Sequence, residues 1–123
     1  MKGSNLPNSL LAAMALWTAS LTGCTARMPR LPIAAALQSG APAQRSDGCI
    51  RAGEARDEQV VPLLVERLED RWPEVRMFAI GALKRITGQT HGYRHFASYA
   101  DRAEAVGRWR QWLKSTRRAD KGQ

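Results

Sequence analysis

The chain has 123 residues, of which 44% are hydrophobic and 24% charged, so its length excludes more than one domain of ordinary size. Its formal net charge of +8 favours an anionic partner, either a phospholipid surface or nucleic acid. The charge is uneven: residues 47–74 carry eight acidic and four basic side chains, whereas residues 76–123 carry three acidic and eleven basic ones. We therefore expect an acidic front and a basic back. A basic surface that only keeps a small domain soluble is the simpler alternative.

An uncharged run of twelve residues, Leu10–Leu21, follows a short polar N-terminus whose one charged side chain is Lys2. The run matches the apolar core of a secretory signal peptide, and it is shorter than the ~20 residues that span a bilayer. It ends in "LTGC", residues 21–24, where an aliphatic residue and two small residues precede a cysteine. This sequence resembles the lipobox of bacterial lipoprotein signal peptides.

The resemblance implies that residues 1–23 are a lipoprotein signal peptide, with Leu21, Thr22 and Gly23 as the cleavage signal. Cys24 would then carry a diacylglycerol thioether and an acylated (palmitate-type) amino terminus, and two or more acyl chains hold a protein firmly in a membrane. The expected location is the bacterial cell envelope, facing the periplasm. The residue after the cysteine is Thr25 and not the aspartate that would signal retention in the inner membrane, which implies the outer membrane. The alternative is a structural cysteine behind an ordinary signal peptide or an N-terminal apolar helix.

Residues 24–45 carry three prolines and six alanines but no acidic residue, which predicts a lipidated tether or linker. If flexible, these 22 residues reach roughly 25 Å. Within them, Pro32 and Gly40 could bound a short helix. With Cys24 lipidated, Cys49 lacks a partner in the chain. We expect it to be a small apolar core residue, with an intermolecular disulfide as the alternative.

Residues 46–118 predict a helical domain, and residues 119–123 a disordered tail. Asp57 is a plausible N-cap for a first helix ending near Asp70, and Pro73 suits the first position of a second helix that Gly88 would cap. Apolar residues recur in the first helix with the spacing of one helix face, at Val61, Leu64, Val65 and Leu68. The short connection predicts antiparallel neighbours.

The segment "VVPLLVERLEDRWPEVRMFAIGALKRITG", residues 60–88, resembles one HEAT-type repeat. Asp70 and Arg76 occupy that family's Asp and Arg positions, which bond along the stack in the family. In this chain we expect them to form a repeat turn pair, with Asp70 as a turn acceptor and Arg76 as a donor to it or to an adjacent carbonyl. "ITGQTHGY" and "RAEAVGRWRQWL" resemble the C-terminal end of some bacterial HEAT-like proteins. The implied fold class is all-α: a small antiparallel helical stack of HEAT-repeat type, an α-solenoid fragment, with a closing C-terminal helix.

The last helix is predicted from Ser98, with Asp101 completing a capping-box-like pair, to about Ser115. Its combination of tryptophan and arginine suits contact with a membrane interface, nucleic acid or protein. We predict an interaction surface formed by Arg102, Arg108, Trp109, Arg110 and Trp112. The alternative is that both tryptophans close the open end of the helical stack, with the arginines solvating its outside.

No motif for a catalytic nucleophile, a phosphate-binding loop or paired carboxylates is present, so we do not expect an enzyme or a cofactor. His91 and His95 have helical metal-ligand spacing, but Gly92 between them predicts a loop, and no metal site is expected. Gly81 and Gly107 fall inside predicted helices, where we expect them to mark close helix contacts.

The expected function is therefore a lipid-anchored envelope protein whose HEAT-like domain is a protein–protein interaction or scaffold module. Its partner is an unknown envelope protein, its membrane contact is the lipid anchor, and homo-oligomerisation stays open. One alternative is a basic helical module that binds an anionic membrane surface or nucleic acid, although a periplasmic location disfavours nucleic acid. A second alternative is an enzyme accessory or metal-binding protein.

Overall fold

The structure, a computed structural model, describes Gly3 and residues 29–122. The predicted signal peptide and Cys24 therefore lie outside the described residues. Residues 29–122 form five α-helices and one 3₁₀ turn, and they contain no strand, which confirms the all-α prediction. The elements are α1 (Ile33–Leu37), α2 (Pro42–Ala55), the 3₁₀ turn (Glu58–Val60), α3 (Val61–Arg67), α4 (Pro73–Thr87) and α5 (Tyr99–Lys121).

The helices form two layers. Helix α1 packs on α2 and α3 packs on α4, so the chain makes two successive helix pairs. The pairs meet through α2 against α4 and through α1 against α3, and α5 then packs on α3. One layer therefore contains α1, α3 and α5, and the other contains α2 and α4.

The hydrophobic core takes side chains from all five helices and from the loop before α5. Its largest fully buried side chains are Trp109, Leu37, Leu64, Leu68, Leu83, Val75, Val106 and Cys49. The apolar stripe predicted for the first helix is buried, because Val61, Leu64, Val65 and Leu68 are each at most 5% exposed. Burial of a side chain of this size stabilises the folded state by about 1.5–3 kcal/mol, so α3 is held mainly by this stripe.

The predicted helix boundaries are confirmed at most of the capping residues. The Asp57 side chain accepts a hydrogen bond from the Gln59 N–H at 3.0 Å, and the Ser98 hydroxyl accepts one from the Asp101 N–H at 3.2 Å. Pro73 is the first residue of α4, and Gly88 ends it in the left-handed conformation with φ 75°.

Two helices differ from the prediction in length. The first predicted helix begins as the separate 3₁₀ turn, because Pro62 has no N–H with which to continue a regular ladder from Glu58. Helix α5 runs six residues past Ser115, to Lys121, and so includes most of the predicted tail. No glycine or proline lies between Ser115 and Gly122 to end it earlier.

Part of the predicted tether is packed into the domain. The short helix expected after Pro32 is present as α1, and its Leu37 is fully buried in the core. Pro42 starts α2 instead of ending structure, because the first position of a helix needs no N–H donor. The packed part of the chain therefore begins at Ile33 rather than at residue 46.

The glycines at the close helix contacts are not the ones predicted. A Cβ at Gly81 or at Gly107 would meet no atom within 4 Å, so that prediction is wrong. The close approaches are at Gly48, where a Cβ would lie 3.0 Å from the Leu37 nitrogen, and at Gly53, where it would lie 3.1 Å from the Ala82 Cα. Gly48 thus sets the α1–α2 packing and Gly53 the α2–α4 packing.

Candidate interaction surfaces

The strongest polar contact between the two helix pairs is a fork between Arg45 of α2 and Asp70 in the turn before α4. Arg45 Nε donates to Asp70 Oδ2 at 2.7 Å, and Arg45 Nη2 donates to Asp70 Oδ1 at 3.0 Å. Both side chains are largely buried, at 9% and 4% exposed. Asp70 Oδ1 also accepts from the Trp72 N–H at 3.1 Å, so one carboxylate fixes its own turn and joins it to the preceding pair.

Both members of this fork are charged at neutral pH. Burial alone would raise the pKa of the Asp70 carboxyl, but the hydrogen bonds from Arg45 and the Trp72 N–H, with the charges of Arg45 and Arg67, outweigh it. The pKa of Asp70 is therefore lowered, and the hydrogen bond to Asp70 raises that of Arg45. A buried ion pair of this kind is costly to break from one side, because the remaining charge is left without its partner.

The predicted repeat turn pair, Asp70 and Arg76, is in contact, but Arg76 bonds to the backbone of Asp70 and not to its carboxylate. Arg76 Nη1 donates to the carbonyl oxygen of Asp70 at 2.8 Å and to that of Arg71 at 3.2 Å. The Asp70 carboxylate faces Arg45, a contact that was not predicted from the sequence. A signal for it exists in the sequence: "PAQR" at 42–45 and "PEVR" at 73–76 both place an arginine three residues after a helix-starting proline.

Trp109 is not part of a surface, contrary to the prediction. Its side chain is fully buried, its Nε1 donates to the Thr90 carbonyl at 3.0 Å, and the His91 ring lies edge-on at 4.4 Å between centroids. Trp112 is half-buried against it, at 5.5 Å between ring centroids. The tryptophans therefore close the core beneath the loop at 88–98, as the alternative interpretation proposed.

The predicted arginines of α5 are engaged within the domain. Arg108 Nε donates to the His91 carbonyl at 2.8 Å, and Arg102 Nη1 donates to the Ala97 carbonyl. Arg110 forms an ion pair with Glu69. These contacts tie α5 to the loop before it and to the end of α3. Arg108 and Arg110 stay exposed, but Trp109 is buried, so the five predicted residues do not all lie on one surface.

An exposed apolar groove runs between α2 and α4, in the layer away from α5. Ile50 and Met77 flank it, 41% and 40% exposed, and glycines leave its floor open. Its volume is about 300 Å³, and Glu54 and Arg85 give it one acidic and one basic position on the rim. The complete lining is Cys49, Ile50, Gly53, Glu54, Met77, Phe78, Gly81, Ala82 and Arg85.

A second, larger groove of about 610 Å³ lies where the start of α3, the end of α4 and the outer half of α5 meet. Trp112 and Leu113 of α5 face Ile86 and Pro62 across it, and polar side chains make up the rest of its wall. From Lys114 onward every described residue of α5 is exposed, including Thr116, Arg117 and Asp120 at the edge of this groove. This outer end carries four cations, none of which has an ion pair within residues 29–122: Lys114, Arg117, Arg118 and Lys121.

The remaining reactive side chains are structural. Cys49 is fully buried, as predicted for a core residue, and burial raises the pKa of its thiol to about 12. His91 and His95 lie in the loop before α5, where His91 packs on the tryptophans and His95 on Phe96. In the part of the chain that the structure describes, no three His, Cys, Asp or Glu side chains are grouped closely enough to hold a metal ion.

Within residues 29–122, no helix combines the length and the apolar character needed to cross a bilayer. Comparison with known proteins adds no relative: no family model matches the chain, and searches of curated proteins and of solved structures give no match.

Proposed function

We propose that this chain is a lipid-anchored protein of the bacterial envelope whose HEAT-like helical domain binds a helix of a partner protein in the groove between α2 and α4. The observation that carries the interaction is the groove itself, with Ile50 and Met77 exposed on either side of a floor that contains Gly53 and Gly81. Two large apolar side chains beside an open channel form an exposed apolar patch, and patches of this kind mark sites where a partner protein binds.

The groove suits a helix in shape and chemistry. Glycine at the floor lets a second backbone approach closely, and Met77 has the flexible side chain that adapts to an apolar partner face. Glu54 and Arg85 on the rim would set the orientation, because each can pair with an opposite charge on the partner. The expected partner segment is an amphipathic helix with an apolar stripe and flanking charges of both signs.

The anchoring half of the proposal rests on "LTGC". Only nine positions separate Cys24 from Ile33, where the packed domain begins. At ~3.3–3.6 Å per residue, such a segment spans at most about 30 Å, so a lipid on Cys24 would hold the groove close to the membrane surface. The two-layer order of the helices supports the HEAT-type assignment that the resemblance implies, because such repeats stack as helix pairs.

Anchoring is tested by mass spectrometry of the membrane-extracted protein, with Cys24→Ala as the matched control. The wild-type chain should lack residues 1–23 and carry acyl mass on Cys24, whereas the variant should be unmodified and leave the membrane fraction. An unmodified, full-length wild-type chain would end the lipoprotein proposal.

Binding in the groove is tested by placing a photo-crosslinking residue at Ile50 or Met77, with exposed Gln111 on α5 as the control position. Crosslinking in intact cells should give an adduct of the same mass from both groove positions and none from position 111. Gly81→Arg should abolish both adducts, because a Cβ at Gly81 meets no atom within 4 Å and the longer side chain would then occupy the groove. Equal crosslinking at position 111, or adducts that survive Gly81→Arg, would contradict the proposed site.

A second candidate function is contact of the outer end of α5 with an anionic membrane surface. It is favoured by the four exposed cations of that end, which outnumber the two nearby carboxylates, Asp120 and Glu58. Each basic side chain near an anionic surface contributes about 1 kcal/mol at moderate salt. The full chain with Cys24→Ala should bind anionic vesicles in low salt and lose binding with Arg117→Gln and Arg118→Gln, but not with Lys84→Gln and Arg94→Gln. An equal loss of vesicle binding in both double variants would mean that binding depends on net charge alone and not on the outer end of α5.

A further inference from the structure

The turns before α2 and α4 have the same hydrogen bonds at positions 31 residues apart. In the first turn, Ser39 Oγ accepts from the Ala41 N–H at 3.1 Å. In the second, Asp70 Oδ1 accepts from the Trp72 N–H, also at 3.1 Å. Each acceptor lies three residues before the proline that begins the following helix.

The arginine at the fourth position of each helix repeats this equivalence. Arg45 Nη1 donates to the carbonyls of Ser39 and Gly40 at 2.9 and 3.0 Å. Arg76, 31 positions later, donates through Nη1 to the carbonyls of the equivalent turn residues at 2.8 and 3.2 Å. Both guanidinium groups are therefore held by one edge in the same way.

The other edge of the guanidinium differs. Arg45 directs Nε and Nη2 at the Asp70 carboxylate, which comes from the next turn of the stack. Arg76 Nε is buried and has no hydrogen-bond partner in the described part of the chain, although the residue is only 9% exposed. A buried N–H of a charged group without an acceptor is strongly unfavourable, so such a group normally has a partner.

Arg76 is one of the residues that line a cavity of about 120 Å³ between the α3–α4 turn and α5. Arg102 and Glu69 also line it, and Glu69 is paired with Arg110 at the surface. The cavity therefore has two arginines and one carboxylate that is already engaged. Its complete lining is Leu68, Glu69, Arg76, Tyr99, Arg102 and Ala103.

We propose that this cavity, between the α3–α4 turn and the first turns of α5, binds one carboxylate group through Arg76 Nε and Arg102. The structural precedent is the Asp70 carboxylate on Arg45, which shows how the same guanidinium edge is satisfied one turn earlier. A planar guanidinium edge matches a carboxylate bidentately, and the cavity has room for a group of that size. The site is independent of membrane anchoring and of the α2–α4 groove.

The carboxylate comes from another molecule. Residues 1–28 contain no aspartate or glutamate. Asp120, in the last turn of α5, lies about 25 Å along the helix from Ala103 at 1.5 Å per residue, too far to reach the cavity. A second copy stacked head to tail would present Ser39 where the fork requires an aspartate. The source is therefore a small carboxylic acid or an acidic side chain of a different protein.

The test is a titration of the ¹⁵N-labelled full chain in a Cys24→Ala background, following the arginine Nε–H resonances by NMR. Sodium acetate should shift the Arg76 Nε–H saturably, and sodium chloride at matched ionic strength should not. Arg45 Nε–H should stay unchanged as the internal control, because its carboxylate is already in place. A short peptide with one aspartate is the second probe: tighter binding than acetate identifies a protein side chain as the source, and weaker binding identifies a small acid.

Two variants make the test decisive. Arg102→Gln should weaken acetate binding about tenfold, the loss of one charge-assisted hydrogen bond, whereas Arg94→Gln at an exposed site should not. Glu69→Gln should leave acetate binding in place. The proposal would be overturned by acetate shifts that never saturate or by equal shifts with chloride. It would also be overturned if Glu69→Gln, without acetate, shifted the Arg76 Nε–H resonance alone, because Glu69 would then already be its acceptor.

Discussion

The turn before α2 and the turn before α4 have the same local construction but different surroundings. In each turn a side-chain acceptor lies three residues before a proline. An arginine lies three residues after that proline and donates hydrogen bonds to the carbonyl oxygens of the turn. Arg45 is completed by Asp70 of the following turn, whereas Arg76 has no such carboxylate because the chain continues into the loop at 88–98 and then α5.

The difference separates the hydrogen bonds that each turn forms within its own residues from those that require the next turn of the stack. Proline, the turn acceptor and the arginine's Nη1 contacts are supplied within about seven residues. The second guanidinium edge is satisfied only by the next turn in the stack. A stack that stops after two pairs therefore ends with one arginine edge open, and that edge is the chemical basis of the carboxylate site.

The largest expected effect comes from removing the carboxylate shared by both turns. Asp70→Asn should lower the free energy of unfolding by about 3 kcal/mol or more, because it leaves Arg45 buried without its counter-charge. Ser39→Ala, at the equivalent position of the first turn, should cost only about 1 kcal/mol, since it removes one neutral acceptor. Urea unfolding followed by circular dichroism, on full chains with Cys24→Ala, measures both. Equal losses would mean that the two turns are not distinguished by the fork.

The sequence predicted the local part of this comparison and not the long-range part. The capping roles of Asp57, Gly88 and Ser98 follow from residue type and position, and the structure confirms them. The pairing of Arg45 with Asp70 joins residues 25 positions apart, and no local pattern indicates which arginine a buried aspartate will meet.

The candidate surfaces were predictable to a different degree. Tryptophans next to arginines in α5 indicate either a binding face or the closing of a core, and only packing decides between them. Trp109 is buried because the loop at 88–98 folds over it, and its indole N–H is satisfied by Thr90. The α2–α4 groove could not be predicted, because it depends on the tertiary approach of Gly53 to Ala82.

Glycine substitutions give the next largest effects, with opposite signs. Gly53→Ala should destabilise the fold by about 1–3 kcal/mol, because its Cβ would lie 3.1 Å from the Ala82 backbone and force α2 away from α4. Gly107→Ala should instead stabilise it by up to ~1 kcal/mol, since nothing lies near a Cβ there and alanine favours the helix. The same unfolding measurement checks both, and destabilisation by Gly107→Ala would contradict the packing described for α5.

The pH dependence of stability should also reflect the ion pair between Arg45 and Asp70. The pKa of Asp70 is lower in the folded than in the unfolded chain, so its contribution is complete above the unfolded value of ~3.9 and is lost as pH falls through the folded value. Unfolding free energies measured between neutral pH and about pH 3 should therefore fall more steeply for the wild type than for Asp70→Asn. Parallel curves would show that other carboxylates dominate acid unfolding.

The most direct measurement supplies the missing carboxylate from the chain itself. Ala103 and Ala100 are both exposed in the first turns of α5, but only Ala103 lines the cavity at Arg76. Glutamate at Ala100, in the first turn, gains the larger helix-dipole interaction, so a greater stability of Ala103→Glu reports the contact with Arg76. Ala103→Glu should exceed Ala100→Glu in unfolding free energy by about 1 kcal/mol, the net contribution of a charge-assisted hydrogen bond. Equal stabilities, or a less stable Ala103→Glu, would contradict an open arginine edge at the end of the stack.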